Sequence, residues 1–510
     1  MKKVLKNKNY IIIAIFIILF ELFLYVQMNY TEPNMTFKYN LVFIVCSTLV
    51  DLALLLILYS IKNNKILKIE NLFLLVAGLF GSIYLIFIPA LLGTDELPHF
   101  LRPYQISVGD VIVKNPSKNE TKIPISLATF VGEKKMIGRY SKKYIEKKVN
   151  YDETTQLWNG DVTSINYSPI PYLPQIIGFW ISKLFGASTL ITMYIVRLCN
   201  FISWLILSYF AFKILPVKKT FAYILYTSAA VLSLVSTCSG DAFALGLFLY
   251  FIAYILSLIN LKRKFGKKDF LIFILIAIGF STYKIFYVLY VLLLFMIPKE
   301  SFNNSKKKKF FILSSIVIST FALDFIWFIL SAVSNIGEEL VSKQIAFILN
   351  NPLKYLFVFL NTYIKNFNYY IVNFTSGSEM CYGLIRLNNL LIYIYTFVFI
   401  VSYFNDNDSV KISKWSKFLV IFVCGLIFVF VSTTLYLSWT SAKLGIGANE
   451  IVGIQSRYFW PLLLPLAVIL PTFKKKIMKD KNILYSSIII NGLILVNTIS
   501  SLLVTIFPKI

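Results

Sequence analysis

Histidine, cysteine and acidic residues are scarce in this 510-residue sequence. A single histidine cannot build a multi-histidine metal centre. The cysteines are scattered and form no CxxC spacing, which argues against a structural zinc site. They are Cys46, Cys199, Cys238, Cys381 and Cys424. Only 24 Asp and Glu accompany 50 Lys and Arg, which leaves a formal net charge of +26.

The excess positive charge lies in short lysine clusters between apolar runs. The clusters are Lys2-Lys3, Lys62 to Lys68, Lys218-Lys219, Lys262 to Lys268, Lys306 to Lys309 and Lys474 to Lys481. A net charge of this size is common in nucleic-acid-binding proteins, but this distribution is typical of cytoplasmic loops, whose lysines orient membrane spans. The charge therefore indicates membrane topology, and no nucleic-acid partner is expected.

Apolar residues dominate the sequence. They make up 58% of it, and the mean hydropathy is +0.73. Repeated apolar runs of about 17–25 residues have the length that an α-helix needs to cross a bilayer. The first run, 10–28, is too long for a cleavable signal peptide and lacks a cleavage site, so it is better interpreted as a membrane span. These features predict an all-α integral membrane protein, and the heavy use of Ile, Asn, Lys and Phe suggests a bacterial cell membrane.

We predict about 13 transmembrane helices, with the N-terminus in the cytoplasm and every lysine cluster on that side. The spans are 10–28, 40–60, 71–92, 188–214, 220–237, 243–261, 269–282, 283–297, 310–332, 389–404, 418–437, 458–473 and 483–506. The whole chain, 1–510, is then one polytopic domain with two large outer segments, 93–187 and 333–388. Each half of 269–297 is short for a crossing.

The first outer segment divides into three parts. Apolar residues recur at helical spacing in 94–109, which predicts a short amphipathic helix at the membrane interface. The polar part, 110–166, fits either a small ordered cap or an unstructured loop. Three prolines then precede a short apolar run that ends near 186, which predicts a second interfacial helix.

An acidic motif stands where the third apolar run ends. It reads Gly93-Thr94-Asp95-Glu96-Leu97-Pro98-His99, and Arg102 follows. Carboxylates are costly beside hydrocarbon, so ionisable residues at such places are candidates for function. The predicted topology brings further polar residues to the same face. These are Asp241, Lys284, Gln455, Arg457 and Tyr458.

These residue types suit glycosyl transfer from a lipid-linked phosphate sugar. Asp95 and Glu96 are the candidate catalytic residues, with Asp95 favoured as the base that takes the proton of an acceptor hydroxyl. Cations must stabilise the departing phosphate, and Arg457, Lys284 and Arg102 are the candidates. A single in-line displacement inverts the anomeric centre. His99, Asp241, Gln455 and Tyr458 are expected to support the site.

Each assignment has a structural alternative. Asp95 or Glu96 alternatively only orients its neighbour or pairs with Arg102. Glu96 alternatively binds a divalent ion or fixes the interfacial helix, and His99 either acts in catalysis or only caps or packs. Asp241 is also a good residue for an N-cap. Lys284 and Arg457 are equally suited to anchor helix ends at the interface. Three charged residues inside apolar runs are expected to pair within the membrane; they are Asp51, Arg197 and Asp324.

The motif resembles a known family. The pattern Asp95-Glu96-x-x-His99-x-x-Arg102-x-Tyr104, followed by Gly109, resembles a bacterial family of predicted membrane proteins of unknown function. That family is similar to the GT-C glycosyltransferases. Three later segments also match, with Ser456 at a position where the family usually has glycine. They are Tyr172-Leu173-Pro174-Gln175, Ser239-Gly240-Asp241-Ala242 and Gln455-Ser456-Arg457-Tyr458-Phe459 followed by Pro461.

The resemblance, which covers about 90–465, implies a GT-C-like bundle and a polyprenyl-phosphate sugar as donor at the outer face. It also implies that Asp95 corresponds to the acidic catalytic position. Some GT-C enzymes need a divalent cation, and here Mg or Mn would rest on Asp95, Glu96 and Asp241. The acceptor is then a cell-wall or other envelope glycan, or a protein. The alternative is a transporter or flippase of lipid-linked glycans, although the sequence shows no internal repeat.

Overall fold

The computed structural model describes residues 8–33, 35–63, 68–113, 121–134, 136–157, 164–331, 338–377 and 380–505. Within these ranges the chain is mainly helical, and two three-residue antiparallel strands pair as β1 (Lys122–Pro124) and β2 (Thr154–Gln156). The helices are α1 (Lys8–Thr31), α2 (Phe37–Asn63), α3 (Ile69–Phe87), α4 (Glu96–Ser107), α5 (Ile125–Val131), α6 (Lys142–Ile145), α7 (Leu173–Leu184), α8 (Thr189–Ile214), α9 (Lys219–Tyr226), α10 (Ala229–Val235), α11 (Gly240–Leu261), α12 (Lys267–Ser281), α13 (Lys306–Ser331), α14 (Glu338–Asn350), α15 (Pro352–Lys365), α16 (Phe367–Thr375), α17 (Asn389–Asn405), α18 (Lys414–Leu435), α19 (Ser441–Leu444), α20 (Trp460–Ile469) and α21 (Asp480–Thr505).

In the described part of the chain, eight helical stretches are long and apolar enough to cross a membrane. They are Ala14–Thr31, Phe37–Ile61, Ile69–Phe87, Thr189–Ile214, Gly240–Leu261, Lys306–Ser331, Lys414–Leu444 and Asp480–Thr505. The prediction of a helical multi-pass membrane protein is confirmed in these terms. The predicted number of 13 spans is not confirmed, because the remaining apolar runs form shorter or broken helices.

Two of the predicted spans differ in form from continuous α-helices. The run 220–237 is divided into α9 and α10, because Ser228 caps α10 and its hydroxyl accepts the Val231 amide at 3.4 Å. The Thr227 carbonyl at this break accepts the Asn491 side-chain amide at 2.8 Å. The run 283–297 is a 12-residue 3₁₀ helix, Ile285–Met296, which rises about 24 Å at about 2.0 Å per residue.

The interior is organised around α8, which packs against α11, α7 and α3. Trp204 of α8 is fully buried, and its ring lies edge-on to Phe73 of α3 with centroids 5.4 Å apart. A glycine permits the contact with α7, since a Cβ at Gly178 would lie 2.8 Å from the Val196 Cα. The surfaces of α1, α2, α13 and α18 expose many large apolar side chains, as expected for helices that face lipid.

The segment 93–187 carries the two short helices expected from sequence, α4 and α7. They pack together through Phe179, whose ring lies 5.1 Å from that of Phe100 and 5.5 Å from that of Tyr104. Between them, the described residues of 110–166 form β1, β2, α5 and α6 around a small apolar core with Phe130 and Tyr144. Of the two possibilities for this part, its described residues therefore form the small ordered cap.

Candidate functional site

Asp95 stands in a turn with an unusual backbone. The turn joins α3 to α4, and both Leu91 (φ +63°) and Asp95 (φ +55°) adopt the left-handed conformation. Aspartate tolerates this region better than most residues, whereas leucine is costly there. The Asp95 amide donates a hydrogen bond to the Tyr382 hydroxyl at 3.1 Å, and Tyr382 itself has φ +56°. Three strained positions therefore meet where the acidic motif begins.

Arg457 connects the acidic motif with a second aspartate. One of its terminal nitrogens, Nη2, forms an ion pair with Asp95 Oδ2, and Nη1 lies 3.2 Å from Asp241 Oδ2. The other oxygen of Asp241 pairs with Lys284 Nζ at 2.9 Å. The four charges therefore alternate in the order Asp95, Arg457, Asp241 and Lys284. Residues separated by up to 362 positions in sequence form this chain of ion pairs.

Exposure distinguishes the members of this cluster. The Asp95 side chain is 41% exposed, whereas those of Asp241, Lys284 and Arg457 are 12%, 8% and 5% exposed. Asp95 is thus the edge of the cluster that water or a ligand can reach. Behind it, Arg457 Nε is buried without a hydrogen-bond acceptor among the described residues, whereas Nη1 has its ion pair with Asp241. One donor of the guanidinium is therefore not satisfied by either aspartate.

Tyrosine rings surround the two cations. Lys284 Nζ lies 4.5 Å from the centre of the Tyr283 ring and 4.6 Å from that of Tyr458. The Arg457 guanidinium carbon lies 5.6 Å from the Tyr458 ring. These are cation–π distances. The Tyr458 carbonyl accepts the Tyr287 hydroxyl at 3.0 Å, which fixes the turn that carries Arg457.

His99 lies one turn of α4 beyond Asp95 and is buried. Its Nδ1 and the Tyr172 hydroxyl form a hydrogen bond of 2.6 Å, and its ring stacks near that of Tyr167 at 6.1 Å. Burial lowers the pKa of His99 to about 4, so the imidazole is neutral near pH 7. Burial opposes ionisation of Asp95 too, but the neighbouring positive charge of Arg457, with a smaller contribution from Lys284, holds the pKa of that carboxyl below its usual value.

Glu96 faces the opposite way from Asp95. It is fully buried and binds Arg197 through two hydrogen bonds of 2.7 and 2.6 Å. Its oxygens also accept the Cys238 amide at 2.8 Å and the Gly93 amide at 3.0 Å. Arg197 donates further to the carbonyls of α3 and the turn after it, namely Leu85, Ile88 and Pro89. Glu96 therefore fixes the motif and the start of α4 to α8, as one of its structural alternatives has it, and its partner is Arg197 rather than Arg102.

Arg102 does not join the cluster. It is fully buried, and its guanidinium donates to the Tyr167 carbonyl at 3.1 Å and to the Val111 carbonyl at 2.8 Å. It stands seven residues after Asp95, a rise of about 10 Å along α4. Arg102 thus holds together two segments of the chain, one that contains Val111 and one that contains Tyr167. Its expected role as a phosphate ligand does not fit this position.

The remaining predicted residues lie beside the cluster. Asp241 is in the first turn of α11, but the N-cap is Ser239, whose hydroxyl accepts the Asp241 amide at 3.1 Å. Gln455 precedes the 3₁₀ turn Ser456–Phe459, and its side-chain oxygen is buried without a partner among the described residues. Two residues of the site were missed by sequence reasoning. Arg197 was noted only as an intramembrane charge, and nothing in the sequence marked Tyr382.

A divalent cation fits this donor set poorly. In the described ranges, no group of three or more His, Cys, Asp or Glu residues is placed to hold a metal ion. Both oxygens of Glu96 are already bound by Arg197 and backbone amides. Asp95 and Asp241 would have to exchange Arg457 for the cation. We therefore assign no step to a metal.

Two hollows adjoin the cluster. A small pocket of about 30 Å³ reaches Arg457 and is lined in part by Gly93, Thr94, Asn373 and Trp460. An apolar groove of about 560 Å³ lies between α16, α18 and α20. Its lining includes Tyr370, Phe374, Phe428, Phe459 and Leu463. Phe459 stands two residues after Arg457, so the turn Ser456–Phe459 carries both a wall residue of the groove and a member of the charge cluster.

Comparison with known proteins identifies a family but no characterised relative. Residues 78–466, about three quarters of the chain, match the family described as Predicted membrane protein (DUF2142). This region includes every residue of the charge cluster. No curated protein and no solved structure matches the chain. By the length of the match, the chain belongs to the DUF2142 family of predicted membrane proteins.

Proposed function

We propose that this protein is a membrane glycosyltransferase that moves a sugar from a polyprenyl-phosphate donor to a cell-envelope acceptor. The observation that carries the proposal is the alternating cluster around Arg457, in which a partly exposed carboxylate adjoins two buried cations. A base and a phosphate-binding pair are the two elements that this transfer needs. The resemblance of the acidic motif to the GT-C glycosyltransferases supports the same assignment.

Asp95 is the proposed base. It takes the proton of an acceptor hydroxyl while the hydroxyl oxygen attacks the anomeric carbon and the bond from that carbon to the phosphate oxygen breaks. The neighbouring positive charge keeps Asp95 ionised, as a base must be before it acts. Its 41% exposed side chain leaves room for an acceptor. The displacement is in line, so the product has the inverted anomeric configuration.

Arg457 and Lys284 are the proposed ligands of the departing phosphate. Arg457 Nε is buried without an acceptor among the described residues, and Nη1 has only the ion pair with Asp241 at 3.2 Å. A phosphate oxygen can take these donors while Nη2 still holds Asp95. Guanidinium binds phosphate with two parallel hydrogen bonds, and lysine adds a compact charge. Asp241 then keeps both cations in place and is a positioning residue.

The apolar groove beside Arg457 supports a donor with a long hydrocarbon tail. Its walls are almost wholly apolar and aromatic, and they include Phe459 of the turn that also carries Arg457. A polyprenyl chain in the groove would place its phosphate at the turn Ser456–Phe459. This geometry favours a lipid-linked donor over a soluble nucleotide sugar, which has no use for an apolar channel.

The test is a transfer assay on membranes that carry the full-length protein. We would supply a panel of polyprenyl-phosphate sugars with a crude cell-wall acceptor fraction and measure the free polyprenyl phosphate released. The wild type should release it with one sugar. Asp95→Asn should lose turnover by at least about 100-fold, the scale of a general base, while donor binding stays near that of the wild type. Arg457→Ala should weaken donor binding and turnover together.

The control is Asp152→Asn, which removes an exposed carboxylate from the same segment and should leave turnover unchanged. Wild-type turnover in Asp95→Asn would refute the role of that carboxylate. Absence of release with every sugar, from protein that is folded, would count against transferase activity altogether.

A transporter of lipid-linked glycans is the second candidate, and one observation favours it. The break between α9 and α10 leaves a discontinuous helix, a feature of transporter binding sites. However, the Thr227 carbonyl at this break already accepts a hydrogen bond from the Asn491 side-chain amide, which also donates to the Tyr395 hydroxyl at 3.0 Å. If no sugar is transferred, movement of the lipid-linked glycan between leaflets is the assay to make.

A further inference from the structure

A second pocket lies at the other end of α11 from the charge cluster. Asp241 stands at the first turn of this helix, whereas Asn260 and Lys262 at its end line the pocket. The 21 residues between Asp241 and Lys262 span about 31 Å at 1.5 Å per residue, close to the thickness of a bilayer core. The two sites are therefore at opposite faces of the membrane. The second pocket has a volume of about 920 Å³.

Positive charge converges on this pocket. Its lining contains five lysines and one glutamate, Glu300. The lysines are Lys262, Lys299, Lys306, Lys309 and Lys411. They come from the ends of α11 and α13, the turn Lys299–Phe302 and the segment before α18. In the described ranges none of them forms a salt bridge, and their one side-chain hydrogen bond runs from Lys309 Nζ to the Phe295 carbonyl at 2.9 Å. The charge is thus available to an anion.

The floor and rim of the pocket are apolar. Phe295 and Met296, at the end of the 3₁₀ helix Ile285–Met296, form the floor, and α13 and α18 both pack on that helix. Phe310 and Trp415 stand on the rim and are 67% and 63% exposed. A large aromatic side chain beside lysines is the arrangement that membrane proteins use at the boundary between head groups and hydrocarbon.

We propose that this pocket binds an anionic phospholipid of the leaflet opposite the charge cluster, which the positive-inside pattern identifies as the cytoplasmic one. The phosphodiester lies among the five lysines, and the acyl chains lie along Phe310 and Trp415. Basic pockets between membrane helices at the cytoplasmic face suit such head groups. Lysines that only orient the spans need not converge, and a soluble anion gains nothing from the apolar floor. These two features together favour a lipid.

Trp415 provides the probe for the test. The full-length protein in neutral detergent would be titrated with phosphatidylglycerol carrying brominated acyl chains, and separately with brominated phosphatidylcholine. Bromine quenches nearby tryptophan emission, and Trp415→Phe identifies the share that comes from this residue. Brominated phosphatidylglycerol should quench the Trp415 emission at a lower concentration than brominated phosphatidylcholine does. Added salt should weaken the binding of phosphatidylglycerol. Equal quenching by the two lipids would overturn the proposal.

Two matched triple variants separate the pocket from general surface charge. Lys299→Gln, Lys306→Gln and Lys411→Gln remove exposed lysines of the pocket, whereas Lys474→Gln, Lys475→Gln and Lys479→Gln remove the same charge from another cluster. Each pocket lysine should contribute about fivefold to phosphatidylglycerol affinity. The pocket variant should therefore lose the lipid preference, and the control variant should keep it. Equal loss in both would refute a specific site.

A final arm distinguishes a lipid from a free anion. Inorganic phosphate at the concentration of the lipid should leave the quenching by phosphatidylglycerol unchanged, because it cannot use the apolar floor. Displacement of the lipid by inorganic phosphate at that concentration would show a site for a soluble anion and would overturn the assignment to phospholipid.

Discussion

The two adjacent carboxylates of the acidic motif have opposite environments. Asp95 is partly exposed and contacts Arg457, whereas Glu96 is enclosed by Arg197 and two backbone amides. The two side chains face opposite ways because of the turn before α4, in which Asp95 has a left-handed backbone and Glu96 begins the helix. One carboxylate is therefore free to meet a substrate, and the other fastens the motif to α8.

A prediction at the scale of the residue follows from this division. Glu96→Gln should reduce the stability of the protein by about 3–5 kcal/mol, because it leaves the Arg197 guanidinium buried without its counter-charge. Asp95→Asn should cost much less, since its side chain is 41% exposed and water can solvate the remaining partner. Thermal unfolding of the purified proteins in detergent measures both.

Asp95→Asn serves as the control for Glu96→Gln, because the two substitutions are chemically alike and lie one residue apart. A melting temperature of Glu96→Gln equal to that of Asp95→Asn would contradict the structural role. A stable but inactive Glu96→Gln would instead support direct participation in the chemistry.

Sequence located these residues but not their partners. The position of the motif at the end of an apolar run was sufficient to select Asp95 and Glu96. The partners Arg457 and Arg197 stand 362 and 101 residues away, and only the packing of α8 and the turn before α20 brings them near. Arg102 looked equally suitable from its spacing. Its actual partners are backbone carbonyls of the cap, which no residue pattern reveals.

At the scale of the element, α7 and α8 determine where the motif sits. The two helices pack closely because Gly178 of α7 lacks a side chain where Val196 of α8 approaches, and Arg197 follows Val196 directly. Amphipathic spacing and prolines were enough to predict α4 and α7 from sequence. The break between α9 and α10 was not predicted, because it depends on a distant residue, Asn491, that binds the freed Thr227 carbonyl.

The contact between α7 and α8 can be tested with one substitution. Gly178→Ala should destabilise the protein by about 1–3 kcal/mol, because the new Cβ would lie 2.8 Å from the Val196 Cα and neither backbone can yield easily. Gly78→Ala in α3 is the matched control, since nothing lies within 4 Å of its Cβ position. That change should leave the stability of the protein unchanged or raise it by up to about 1 kcal/mol, because alanine has a higher helix propensity than glycine. Equal unfolding temperatures for the two variants would contradict the close approach.

At the scale of the whole molecule, the two faces of the membrane have different character. Lys148 pairs with Ser188 at the start of α8, so the cap lies at that end of the helix. At the other end, Lys218 contacts Asp406, and the neighbouring Asn407 donates to the Lys474 carbonyl at 3.3 Å. The 26 residues of α8 separate these ends by about 39 Å. The cap and the last lysine cluster are therefore on opposite faces.

The lysine distribution predicts which face is outside, and labelling can test it. Lys147→Cys in the cap should react with a membrane-impermeant maleimide on intact cells, whereas Lys475→Cys should react only after the cells are permeabilised. Both positions are exposed, and the five native cysteines are buried or half-buried, so the wild type supplies the background. If only Lys475→Cys reacted on intact cells, the orientation of the protein in the membrane would be the opposite of the one predicted. The charge cluster would then face the cytoplasm. The proposed transfer to an envelope acceptor at the outer face would be contradicted.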